Sequence, residues 1–128
     1  MTENQDNPLP RDRHRATACG GRKTTIAFVL YERFAILDLA APVDVLQAWP
    51  NAEFVFVAES TELVRADSGL LVAPTASLSD LQAADLIVVP GTDDPRALTR
   101  KHALTEWTRR AAETATWISS VCTGALDR

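Results

Sequence analysis

Thr25-Ile26-Ala27-Phe28-Val29-Leu30-Tyr31 is an unbroken run of apolar and β-favouring side chains. A strand with one wet face alternates apolar and polar residues. A strand without alternation is buried on both faces, as in a parallel sheet covered by helices. Three more segments resemble it: Glu53-Phe54-Val55-Phe56-Val57-Ala58, Asp85-Leu86-Ile87-Val88-Val89-Pro90, and the stretch 116–121. Between the first two lies a segment with helical spacing. Pro42 suits the first turn of a helix, where its missing N–H is not needed. Val45, Leu46 and Trp49 then share one face, Asp44 complements the helix dipole, and Pro50-Asn51 is the stop. Leu63-Val64-Arg65 and Leu70-Leu71-Val72, separated by Ala66-Asp67-Ser68-Gly69, read as a short hairpin. A single helical turn is expected over 78–81, after Ser77 or Ser79. Asp94 is an N-cap backed by Pro95, opening a helix or helix pair that runs to about Thr114, with Leu104, Trp107 and Ala111 at i, i+3 and i+7. The order strand, helix, strand, hairpin, strand, helix, strand predicts an α/β fold, with a mostly parallel sheet and helices on both faces.

The bulk properties exclude several classes. A chain of 128 residues is one domain's worth, and 46% hydrophobic with 23% charged residues is ordinary for a globular protein. The net charge of −4 favours neither nucleic acid nor an anionic membrane as partner. Residues 1–23 carry a local +2 with Gly, Pro, Asn and Asp and no periodicity, and are expected to be a disordered leader; the remaining −6 belongs to the domain over 24–128. No apolar run reaches membrane-spanning length, and no hydrophobic stretch follows the N-terminal arginines, so the expected location is the cytoplasm. Cys19 and Cys122 are 103 positions apart, with no secreted context to favour a disulfide.

The segment Trp117-Ile118-Ser119-Ser120-Val121-Cys122-Thr123-Gly124-Ala125 reads as a strand that stops at a cysteine, followed by small residues that open a helix. An ordinary thiol, with a pKa of about 8.5, leaves only a few per cent thiolate at neutral pH. A helix N-terminus at Thr123 would favour the thiolate and so make Cys122 a nucleophile; the alternative is a small buried hydrophobe. Asp38 sits among Ile36, Leu37, Leu39 and Ala40, an unusual setting for a carboxylate that only faces water. It is read as an acid able to donate to sulfur or to substrate, or else as a residue that accepts local backbone N–H groups. Gly91 after Pro90 marks a turn whose N–H groups could face a developing oxyanion. Asp38, Gly91-Thr92 and Cys122 all lie just past strand carboxyl ends, where ligands bind in such sheets. Asp93-Asp94 lacks a histidine or cysteine at ligand spacing, so no metal is expected. His102 lies among polar neighbours and His14 in the leader; neither is a convincing base.

Taken together, Leu37-Asp38-Leu39-Ala40-Ala41-Pro42-Val43-Asp44-Val45-Leu46, Val88-Val89-Pro90-Gly91 and Ser120-Val121-Cys122-Thr123-Gly124-Ala125 resemble the PfpI superfamily, the class I glutamine amidotransferase-like group. The resemblance runs from about Thr24 to Ala125. It implies a flavodoxin-like three-layer sandwich and usually a homodimer. It implies Cys122 as nucleophile, Asp38 as its acidic neighbour, and N–H groups at Thr123 and in the Gly91-Thr92 loop as the oxyanion site, with no cofactor. The Ser-Val-Cys-Thr-Gly form is most similar to two branches: isocyanide hydratases, and the sensor domains of certain AraC-type transcription regulators. Thr92 departs from the pattern, since relatives usually have a second glycine there, and its Cβ is expected to alter or crowd the anion site. The chain also stops six residues after the cysteine, so the sheet is expected to be incomplete at its C-terminus. Three readings follow: an isocyanide hydratase-like enzyme or related amidase or hydrolase, a small-molecule sensor that lost its DNA-binding half, or an inactive remnant.

Overall fold

The structure is a computed structural model and describes residues 23–94, 96–97 and 100–120. Five parallel strands form the main sheet: β1 (Thr24–Val29), β2 (Ala52–Ala58), β5 (Ala76–Ser77), β6 (Leu86–Val89) and β7 (Trp117–Ser120), in the spatial order β5-β2-β1-β6-β7. Helix α1 (Ile36–Leu46) connects β1 to β2, and α2 (His102–Thr114) connects β6 to β7. The two crossovers move in opposite directions across the sheet. Right-handed connections therefore put α1 and α2 on opposite faces, which gives the three layers that the sequence pattern predicts. A separate hairpin pairs β3 (Val64–Arg65) with β4 (Leu71–Val72). Gly69 turns it at φ +93, a conformation that a Cβ would strain.

β1 occupies the centre. Ile26, Ala27, Phe28 and Val29 are all fully buried, as a run without alternation demands. Phe28 stacks on Phe56 and meets Phe54 edge-on, with centroids 5.3 and 5.4 Å away. On α2 the buried residues are Leu104, Trp107 and Ala111, the three that the helical spacing selects. The Trp107 indole N–H donates to the carbonyl of Leu81 at 2.7 Å, which satisfies the polar tip of a buried ring.

Two local readings need correction. Helix α1 begins at Ile36, so Pro42 is inside it and not in its first turn. An interior proline costs roughly 3 kcal/mol, since it withholds an N–H from the carbonyl four residues back, here Asp38. The earlier start is favoured by the buried Leu39 and by the first-turn contacts of Asp38. Asp38 is consequently the acidic residue of the first turn, and Asp44 is too far along the helix to complement its N-terminus. Val45 is 71% exposed, while Leu46 and Trp49 pack against the core. The second correction concerns Asp94. Its Oδ1 accepts the Arg96 N–H at 3.1 Å and its carboxylate pairs with Arg100 at 2.8 Å, but among the described residues 96, 97 and 100 form turns and the regular helix starts at His102. One strand has no counterpart in the sequence reading: β5, whose Ala76-Ser77 has no β-branched residue, is short and at the edge, and pairing with β2 suffices. The turn after it is a 3₁₀ helix (Leu78–Asp80) closed by a Ser77–Asp80 capping box.

Candidate functional site

In the strand order, β1 and β6 are the adjacent strands whose connections leave in opposite directions. The crevice at their carboxyl ends is where open α/β sheets bind ligands. Two loops meet there. The first runs from Tyr31 to the start of α1, and the second from Pro90 to Asp94. Five contacts join them. The Tyr31 hydroxyl donates to the carbonyl of Pro90. The Ala35 N–H donates to the carbonyl of Gly91 at 2.8 Å. The Gly91 N–H donates to the Asp38 carboxylate at 3.1 Å. The Thr92 hydroxyl donates to the carbonyl of Arg33 at 2.8 Å. Finally, the Arg33 guanidinium pairs with Asp93, Nε lying 3.2 Å from Oδ1. Phe34 and Thr92 pair across the junction as an antiparallel bridge.

Asp38 is only 6% exposed and Thr92 only 4%. Asp38 owes its position to the helix start: as the third residue of α1 it places its carboxylate beside the loop after β6. Its own N–H donates to the carbonyl of Ala35 at 3.0 Å, closing the first turn. Arg33, just upstream, has φ +72, a left-handed conformation unusual for a residue with a Cβ. Its N–H donates to the carbonyl of Arg65 at 2.8 Å, and the Asp67 N–H donates to the carbonyl of Phe34 at the same distance. The β3–β4 hairpin thus buttresses the loop that carries Asp38.

Of the sequence-selected residues, Asp38, Gly91 and Thr92 come together. Cys122 and Thr123 lie outside the described residues. The Gly91 N–H is directed at the Asp38 carboxylate. The Thr92 side chain is turned toward Arg33 and Asp94, whose N–H it accepts at 3.1 Å. Sequence reasoning missed the clamp formed by Tyr31, Arg33 and Asp93; the only signal for it was the charged pair Glu32-Arg33 interrupting an apolar stretch. Ser120 Oγ, at the end of β7, is buried and without a hydrogen-bond partner among the described residues.

An apolar groove of about 530 Å³ runs from Asp38 along α1 and the sheet, lined by Leu37, Ala41, Val45, Leu86, Val88 and Ser119. A smaller polar recess of about 210 Å³ at the ends of β1 and β2 contains Tyr31, Glu59 and Lys101 but neither Asp38 nor Gly91. Among the described residues no group of three or more His, Cys, Asp or Glu side chains could hold a metal ion. No described helix is long and apolar enough to cross a membrane.

Known proteins share this fold. The chain is 33% identical over 101 residues to an isonitrile hydratase of Pseudomonas putida, an alignment covering 79% of this chain and 44% of that protein. It superimposes on a ThiJ/PfpI family protein of Pseudomonas syringae with a TM-score of 0.77 and 26% identity, over 83% of this chain and 45% of that one. A candidate transcriptional regulator of Vibrio parahaemolyticus shares the fold, with a TM-score of 0.70, 15% identity, and coverage of 83% and 60%. The chain therefore spans less than half the length of the curated relative it matches. The model of the DJ-1/PfpI family matches residues 24–127, which include the whole crevice-forming sheet, and the chain belongs to that family.

Proposed function

We propose that this chain carries the nucleophile-and-acid half of an isonitrile hydratase-like site, with Cys122 as nucleophile and Asp38 as proton carrier. The observation that carries the reading is the position of Asp38. It is a buried carboxylate in the first turn of α1, bonded to the loop after β6 at the switch point of the sheet. The chain around it is 33% identical to an isonitrile hydratase. The apolar groove that starts at Asp38 suits an uncharged isocyanide, whose substituent is apolar and whose only reactive atom is the terminal carbon.

In this proposal the Cys122 thiolate attacks the terminal carbon of R–N≡C, forming a C–S bond. Asp38 delivers the proton that this carbon takes up, giving a thioimidate, R–N=CH–S–Cys. Water then adds to the same carbon, one of its protons goes to the nitrogen and the other returns to Asp38, and the C–S bond breaks. The products are R–NH–CHO and the regenerated thiolate. Every atom is accounted for by isocyanide and water, so no redox partner is required. The backbone at Thr123 and the Gly91-Thr92 loop would line the reacting centre.

The test is formamide production from an aryl isocyanide by the purified 128-residue chain, followed by NMR. Cys122→Ser is expected to abolish turnover. Asp38→Asn is expected to lower it by about 100-fold, the scale of a lost general acid. Turnover unchanged in Cys122→Ser would overturn the reading. Saturable isocyanide binding without formamide would instead favour a sensor domain.

A further inference from the structure

The geometry points to Thr92 as a positioning residue that holds Asp38 in place, an inference that rests on the proposed role of Asp38. A threonine at this point would be expected to crowd the crevice. The structure shows a different use for its side chain. Thr92 is 4% exposed, and its hydroxyl both donates to the carbonyl of Arg33 (2.8 Å) and accepts the N–H of Asp94 (3.1 Å). Glycine could make neither contact.

Two bonds made by Gly91, the residue just before Thr92, explain why this matters for Asp38. The Gly91 carbonyl accepts from Ala35, and the Gly91 N–H reaches the Asp38 carboxylate. Thr92, Gly91, Ala35 and Arg33 thus form a closed ring of contacts between two loops, and Asp38 hangs from its edge. The ring also contains the strained residue. Arg33 at φ +72 is held by its N–H to Arg65, its carbonyl to Thr92 and its guanidinium to Asp93. A residue kept in a sparsely populated conformation persists only where its surroundings over-determine it. Removing the Thr92 hydroxyl takes away the contact to the Arg33 carbonyl. The peptide between Arg33 and Ala35 is then less constrained, and with it the register of Gly91 against Asp38.

The experiment compares Thr92→Val, Thr92→Ser and Asp38→Asn in the full chain, with Cys19→Ser as background. Amide hydrogen exchange read by NMR reports on the Gly91 N–H. Thr92→Val and Asp38→Asn are each expected to lose about tenfold protection at Gly91 while the β1 amides keep theirs. Thr92→Ser, which retains the hydroxyl, stays within about twofold of the parent. Wild-type protection at Gly91 in Thr92→Val overturns the proposal. Should Thr92→Val fail to fold, Thr92→Ala carries the same comparison. A second readout is the rate of Cys122 alkylation by iodoacetamide near pH 7. Asp38→Asn is expected to change this rate by about threefold or more, with Thr92→Val following it and Thr92→Ser not. If Asp38→Asn changes the rate and Thr92→Val does not, Thr92 does not position the acid. If Gly91 loses protection in Thr92→Val but Asp38→Asn leaves alkylation unchanged, Thr92 holds Asp38 as inferred, and it is the shared Asp38–Cys122 site that fails.

Discussion

β1 and β7 both read as strands rich in apolar side chains, yet the molecule treats them oppositely. In β1, Ile26 to Val29 have no exposed surface at all. In β7, Trp117 is 52% and Ile118 37% exposed. Position in the sheet accounts for the difference. β1 has a hydrogen-bonded neighbour on each side and a helical layer on each face, whereas among the described residues β7 pairs with β6 alone. Trp117 finds one aromatic partner, Trp49, at 5.6 Å. A sequence run records what a strand can bury. The covering layers decide what it does bury.

The pair Ile87 and Ile118 gives the sharpest way to break this comparison. They sit opposite each other in the β6–β7 register, with 0% and 37% exposure. The largest effect is expected one strand further in: Phe28→Ala removes a ring packed against Phe54 and Phe56 and should destabilise by roughly 3–5 kcal/mol in denaturant unfolding. Ile87→Ala should cost about 2–4 kcal/mol, while Ile118→Ala should cost about 1 kcal/mol or less. Equal losses at 87 and 118 would mean that β7 is covered as fully as β6. Trp107→Phe keeps the apolar ring but leaves the Leu81 carbonyl without its donor, which should cost about 1–3 kcal/mol.

The smallest expected effect is electrostatic. The Arg100 side chain, and after it the Arg96 N–H, hold the Asp94 carboxyl below the usual carboxylate range. A carboxyl depressed in the folded state contributes stability above its unfolded pKa and loses that contribution as pH falls through the folded value. Asp94→Asn should therefore be slightly less stable than the parent at neutral pH and equal to it in strong acid, measured as thermal midpoints. A difference that grows on acidification would reverse the sign of this account.

Much of the fold was legible because the pattern and the physics agree. Unbroken runs at 25–31 and 85–90 had to be central strands, and the spacing of Leu104, Trp107 and Ala111 named the buried face of α2. The start of α1 was not legible. Pro42 is the better local signal for a helix start, and the early start depends on contacts from Asp38 to a loop 53 residues away. Asp38, Gly91 and Thr92 were each visible as residues beyond strand ends. Their mutual arrangement was not, because Arg33, Tyr31 and Asp93 reach across some 60 residues to knit the loops.

The central proposal is that Asp38 and Cys122 share one site. Disulfide trapping tests it most directly. In a Cys19→Ser background, Asp38→Cys is oxidised mildly and the link to Cys122 is read by mass spectrometry, with the exposed Asp44→Cys on the same helix as control. A bridge needs Cβ atoms about 3.5–4.5 Å apart. The account predicts fast, near-complete linkage at 38 and little at 44; linkage at 44 as fast as at 38, or none at 38, would contradict it.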